Sequence, residues 1–189
     1  MSIICGYKRG DSIYIATDSQ LNYGNCECGA NIGDADVPKQ GKFLPLKRDD
    51  ILVAAAGAER PSQIVAEVFD RYGSKIETKR DLRNIVKRLV PAMAKESIGK
   101  MESDGLTEYD IEIMVGTKKG LYIIESELSI TDNRDFQAVG CAWIAARAAY
   151  MAIDKDCYLP EVLLRRVTRI ACRLNSYCGG RIHIRRIDY

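Results

Sequence analysis

Met1-Ser2-Ile3-Ile4-Cys5-Gly6-Tyr7-Lys8-Arg9-Gly10-Asp11-Ser12-Ile13-Tyr14-Ile15-Ala16-Thr17-Asp18 opens the chain, and every later element is placed by how this stretch is read. Two runs rich in Ile and Tyr flank a charged turn carrying Gly10 and Asp11, which predicts a β-hairpin. The chemistry sits at its ends. If Met1 is removed, Ser2 presents a hydroxyl and a free α-amine at the tip of a strand. An α-amine has a reference pKa of about 7.7–8.0, so near neutral pH it serves as a local base for its own hydroxyl. Asp18 closes the second strand. A Met-Ser start leading into a strand is, taken alone, far more often scaffold than active site, so the functional reading depends on the remainder of the chain.

With 189 residues, 47% hydrophobic and 29% charged, the chain suffices for one domain over residues 1–189 with a packed core. A net charge of +2 with scattered basic residues argues against a nucleic-acid partner. The apolar run 3–6 is too short, and Lys8-Arg9 arrives too soon, for a signal peptide or membrane span. Seven cysteines form an odd set with no disulfide framework, which fits reduced thiols in a cytoplasm. Cys26-x-Cys28 has the spacing of half a metal site, but no second pair accompanies it and His183 is the one histidine. Neither a metal nor a cofactor is expected.

Outward from the hairpin, residues 19–41 read as an Asn/Gly/Asp-rich loop and 42–46 as a short strand. After a charged turn at 47–50, residues 51–56 read as a buried strand ending at Gly57. Pro61 opens a helix with Ile64, Val65, Val68, Phe69 and Tyr72 on one face. Thr78 caps a longer one carrying Leu82, Ile85, Val86, Leu89, Met93 and Ile98, with a kink expected at Pro91. Residues 111–116 and 121–125 form a second hairpin, and 136–139 a further strand. An alanine-rich helix covers 141–153. A fourth helix over 161–174 turns Val162, Leu163, Val167, Ile170, Ala171 and Leu174 inward, and a last strand spans 181–187. Helices grouped between blocks of antiparallel strands favour a layered α/β sandwich over a doubly wound sheet. No glycine-rich strand-to-helix turn offers a phosphate site.

Ser2, Asp18, Lys42 and Gly57 now fall in a meaningful order. Together with Ile15-Ala16-Thr17-Asp18-Ser19, Gly41-Lys42-Phe43-Leu44-Pro45-Leu46 and Ala55-Ala56-Gly57, they resemble a proteasome β-type subunit. They also resemble the bacterial heat-shock-locus V type of peptidase. Ala138-Val139-Gly140-Cys141-Ala142 stands where that family has a Gly-Ser-Gly turn before an alanine-rich helix. Asn175-Ser176-Tyr177-Cys178-Gly179 stands where it has Asp-x-x-Ser-Gly. The resemblance covers nearly the whole chain.

It implies a four-layer α-β-β-α sandwich of the N-terminal nucleophile hydrolase type, and a peptidase acting through an acyl-enzyme. Ser2 takes the nucleophile's place, where threonine is usual. The proton goes either to its α-amine or to Lys42, and the sequence leaves that choice open. Asp18 orients and pairs Lys42, and the Gly57 N–H donates to the oxyanion. Cys141, Asn175 and Cys178 stand where the family has Ser, Asp and Ser, and the amide of Asn175 lacks the carboxylate's charge. By the same resemblance, Gln40, Leu44, Ala55 and Glu59 line the substrate pocket. The implied partners are further copies in a homo-oligomeric ring, stacked as a double ring, an ATP-dependent unfoldase, and unfolded polypeptide as substrate. Two other readings stand beside this one: a catalytically silent proteasome-like subunit, and an amidase acting on small molecules.

Overall fold

The opening hairpin forms as β1 (Ile3–Arg9) and β2 (Ser12–Thr17), turning on Gly10 at φ +59°, a left-handed conformation that glycine adopts at no cost. The structure, a computed structural model, describes residues 2–20, 41–73, 76, 78–96, 98, 101–103, 106–132 and 135–188. The loop carrying Cys26 and Cys28, together with Gln40, lies outside them.

The hairpin leads to β3 (Ile51–Gly57), α1 (Glu59–Tyr72) and α2 (Lys79–Lys95). Six strands come next: β4 (Met101–Ser103), β5 (Leu106–Glu108), β6 (Ile111–Thr117), β7 (Gly120–Ile124), β8 (Ile130–Asp132) and β9 (Phe136–Gly140). The chain ends with α3 (Trp143–Ala152), α4 (Pro160–Leu174) and β10 (His183–Asp188). One antiparallel sheet has the order β10-β2-β1-β9 and another β3-β6-β7-β8, with β4-β5 a separate ribbon.

Three apolar clusters define the layers. Ile4, Ile13, Ile15, Ala54, Ala56, Met114 and Leu121 fill the space between the two large sheets. Alternate residues of β3, β6 and β7 point the other way, onto Val65, Phe69, Leu82, Leu89 and Met93 of α1 and α2. Ile3, Cys5, Tyr7 and Ala16 face Ala146, Ala149, Leu163, Val167 and Ala171 of α3 and α4. The result is the four-layer α-β-β-α sandwich.

Thr78 caps α2 in a capping box: its Oγ1 accepts from the Asp81 N–H at 3.2 Å, and the Asp81 carboxylate accepts from the Thr78 N–H at 2.8 Å. The helix then runs through Pro91 to Lys95. Residues 42–46 do not form a strand. One bridge, Phe43 to Ala54, is made before Pro45, which has no N–H to continue a ladder. Three short strands, β4, β5 and β8, escape sequence reading because three residues show no alternation. In α4 the inward row is Leu163, Leu164, Val167, Thr168 and Ala171, while Val162 and Leu174 are exposed. Tyr72 also faces out, under the Arg88 guanidinium at 5.3 Å from its ring centre. Among the described residues, no helix is long and apolar enough to cross a membrane.

Candidate active site

Where β2 ends, the polar triplet Thr17-Asp18-Ser19 is fully buried, an expensive arrangement unless every member is bonded. Each one is. Thr17 Oγ1 accepts from the Lys42 N–H at 3.1 Å, and Ser19 Oγ accepts from the Arg181 N–H at 2.8 Å. The Asp18 carboxylate accepts from the Ile3 N–H through Oδ1 and from the Gly179 N–H through Oδ2, both at 3.1 Å. Asp18 thus fixes the backbone just after Ser2 against the turn beyond α4. Burial pushes its carboxyl above the ordinary range, against the pull of Lys42 and of the two N–H groups.

Lys42 sits on the same side. Its Nζ donates to the Gln20 carbonyl at 2.7 Å, and among the described residues no contact ion pair joins it to Asp18. The two interact through space instead. Burial lowers the Lys42 ammonium below its ordinary value, while the charges of Asp18, Cys178 and Cys141 hold it up. A lysine lowered in this way is better able to accept a proton at neutral pH.

The third wall comes from β9 and the turn after α4. Cys141 donates its backbone N–H to the Ser2 carbonyl at 3.0 Å, and α3 begins two residues on, at Trp143. Gly140 holds φ +93°, and a Cβ there would lie 2.1 Å from the Ser2 carbonyl oxygen, so only glycine lets β9 meet the start of β1. The Gly140 N–H donates to Glu112 at 2.8 Å. The Asn175 amide donates through Nδ2 to the Cys141 carbonyl at 3.1 Å and accepts through Oδ1 from the Tyr177 N–H at 2.9 Å. A carboxylate could make the second bond but not the first. Cys141 Sγ lies 3.5 Å from the Ser2 carbonyl oxygen and 3.2 Å from Cys178 Sγ.

Of the residues expected to act together, Ser2, Asp18, Cys141, Asn175 and Cys178 are thus linked around the first residues of β1, while Lys42 bonds to Thr17 and Gln20 and lies in the field of Asp18. Ser2 itself is 2% exposed. Gly57 ends β3 at φ +134°, and a Cβ there would meet the Asp110 carbonyl at 2.2 Å. Leu44 and Ala55 are buried in the cluster under α1 and α2, and Glu59 is exposed in the first turn of α1, accepting from Gln63 at 3.4 Å. Thr17, Ser19 and Glu112 join the site without having been expected there. Their traces in the sequence are a polar triplet closing an apolar strand and a lone acid between Ile111 and Ile113. Among the described residues, no group of three or more His, Cys, Asp or Glu side chains has the arrangement of a metal site.

No family model and no curated protein matches this sequence. Solved structures do. Thiobacillus denitrificans BPH in complex with epoxomicin superposes with a TM-score of 0.80 at 16% identity, covering 98% of each chain. A second structure of Thiobacillus denitrificans BPH gives 0.77 at 16% identity, over 98% of this chain and 97% of that one. Eukaryotic HslV from Trypanosoma brucei gives 0.70 at 17% identity, over 99% of both. The chain therefore has the proteasome β-type fold, shared with HslV-like peptidases.

Proposed function

We propose that this chain is an N-terminal-serine peptidase of a proteasome-like ring, with Ser2 exposed as nucleophile by removal of the residue before it. The observation that carries the reading is the hydrogen-bonded assembly in which Asp18 holds the Ile3 N–H, Cys141 holds the Ser2 carbonyl, and Asn175 in turn holds Cys141. Ser2 Oγ attacks the peptide carbonyl and its proton passes to the freed α-amine or to Lys42 Nζ. The Gly57 N–H stabilises the oxyanion, the same proton goes to the departing amine, and water hydrolyses the resulting ester. Gln40 and Glu59 recognise the side chain before the scissile bond, and Glu59 favours a basic one; Leu44 and Ala55, packed in the core under α1 and α2, are left out of that role. Further copies complete a stacked homo-oligomeric ring in the cytoplasm, supplied with unfolded polypeptide by an ATP-driven unfoldase.

The test begins with the N-terminal mass of protein from its native host, and then treatment with epoxomicin, the compound present in one of the similar structures. An adduct on a peptide beginning at Ser2, absent in Ser2→Ala, is the expected result. Ser2→Ala should abolish peptide turnover while leaving particle size unchanged in light scattering. Lys42→Ala should lower turnover by on the order of 10²-fold or more, the usual scale for lost proton transfer. Turnover of Ser2→Ala at the parental rate overturns the reading. A native protein that retains Met1 and takes no label points to the catalytically silent subunit instead.

A further inference from the structure

The acyl-transfer steps leave two sulfur atoms without a role. Cys141 Sγ and Cys178 Sγ are 3.2 Å apart on two segments that Asn175 ties together: its side chain donates to the Cys141 carbonyl, and its own carbonyl accepts the Cys178 N–H at 3.2 Å. A disulfide needs about 2.05 Å between the sulfurs, so closure is a movement of about 1.2 Å, within the reach of side-chain torsions. The two thiols are also unequal. Cys141 is exposed and Cys178 is buried.

Their surroundings set them apart from the other described cysteines. The Cys178 thiol, donating to its neighbour, lowers Cys141 to about 7, whereas burial pushes Cys5 and Cys172 up to about 12. Cys157 is exposed, but its thiol donates to the Asp154 carboxylate at 3.2 Å, which holds it up. At neutral pH Cys141 is therefore far more ionised than Cys5 or Cys172. The ammonium of Lys42 lies in the field of both sulfurs and favours their ionised forms.

We propose that Cys141 and Cys178 are a hydroperoxide-reactive thiol pair that closes reversibly into a disulfide beside Ser2. The Cys141 thiolate attacks the terminal oxygen of a hydroperoxide. The O–O bond breaks, an S–O bond forms, and the departing alkoxide takes up a proton, leaving an alcohol and a sulfenic acid. Loss of the thiolate charge removes what held the Cys178 proton in place. Cys178 then attacks the Cys141 sulfur, forms the S–S bond and expels hydroxide, which leaves as water with the Cys178 proton. Two thiols have given up two electrons, and the hydroperoxide has become an alcohol and water. A dithiol reductant reverses the change by exchange. The disulfide draws the residue whose N–H holds the Ser2 carbonyl toward the turn after α4. Under the proposed function it slows acylation at Ser2, a consequence that rests on that function, whereas closure of the thiols does not.

The experiment treats the full-length protein with stoichiometric hydrogen peroxide and maps its cysteines by mass spectrometry. The expected product lacks two hydrogens, contains a crosslinked Cys141–Cys178 peptide, and returns to its starting mass with dithiothreitol. In Cys178→Ser the reaction should stop at a sulfenic acid on Cys141 that dimedone traps. Alkylation of Cys141 by iodoacetamide should rise through about pH 7, ahead of Cys172. Oxidation of wild-type Cys141 directly to sulfinic acid, or oxidation of Cys157 with the pair left reduced, overturns the proposal. Epoxomicin labelling of the reduced and oxidised protein separates the two ideas. Labelling lost on oxidation and restored by dithiothreitol supports the regulatory consequence, and equal labelling of both forms refutes it. Absence of labelling in both forms counts against the peptidase, and the thiol result is judged by mass alone.

Discussion

The two helical layers of this sandwich solve the same packing problem in opposite ways. Under α1 and α2, bulky side chains such as Phe69, Leu82, Leu89 and Met93 meet the β-branched face of β3 and β6. Under α3 and α4, Leu163, Leu164 and Val167 share the contact with a row of small residues, Ala142, Ala146, Ala149 and Ala171, set against Cys5 and Cys178. Small residues bring that layer close to β1 and leave room for backbone-to-backbone bonds around Ser2. Its outer surface differs as well: Trp143, Ile144, Met151, Leu159, Val162 and Leu174 are all exposed there, against Tyr72 and Val90 on the first layer. The α1–α2 side concentrates buried bulk. The α3–α4 side concentrates positioned polar groups.

Mutations that act on one side alone test this contrast. Phe69→Ala removes a fully buried ring from the first layer and should cost about 3–5 kcal/mol in denaturant unfolding, leaving labelling of Ser2 by epoxomicin in the folded fraction unchanged. A comparable loss of labelling would mean that the two layers are not separable. Asp18→Ala should do the reverse. It orphans the Ile3 and Gly179 N–H groups, each about 1–3 kcal/mol to leave unbonded, but also removes a buried charge. A net loss of about 1–3 kcal/mol with complete loss of turnover is expected, and retention of more than about a tenth of the turnover would contradict it.

Ala171→Leu sharpens the contrast from the other direction. Extra methylenes in the close-packed second layer should cost about 1–3 kcal/mol and lower turnover by shifting β1. A stabilised variant would show that the layer has spare volume. The smallest effect belongs to Thr78→Ala, which breaks the α2 capping box at a cost of about 1 kcal/mol with no change in turnover.

The fold was legible where the sequence has period. The opening hairpin, the capped helix at Thr78 and the apolar runs of β3, β6 and β7 carry their own signals. That the polar residues of the candidate site lie together was legible for a different reason: Ser2, Asp18, Lys42, Cys141, Asn175 and Cys178 stand in recognisable local contexts, even with four of them differing from the residues usual there. The facing of residues that lack a period was not. Ala54-Ala55-Ala56 has no alternation, so nothing in it says that Ala55 faces α1 and α2 while its neighbours face the other sheet. Nor does a sequence show that Cys141 and Cys178 touch, because their nearness depends on how α3 and α4 bring the chain back across β1.

The Asp18 clamp also bears on the order of events as the chain folds. Its carboxylate joins Ile3, 15 residues away, to Gly179, 161 residues away. The bond from Cys141 to the Ser2 carbonyl spans nearly as much of the chain. Contacts of such separation form late, because the intervening loop must first be ordered. While residues 175–179 are still to be synthesised, a nascent chain can complete the hairpin and pack α1 and α2 on β3, yet the surroundings of Ser2 stay unfinished. In the peptidase proposed above, competence therefore waits for the turn after α4, by which time α1 and α2 can already have packed on β3, β6 and β7.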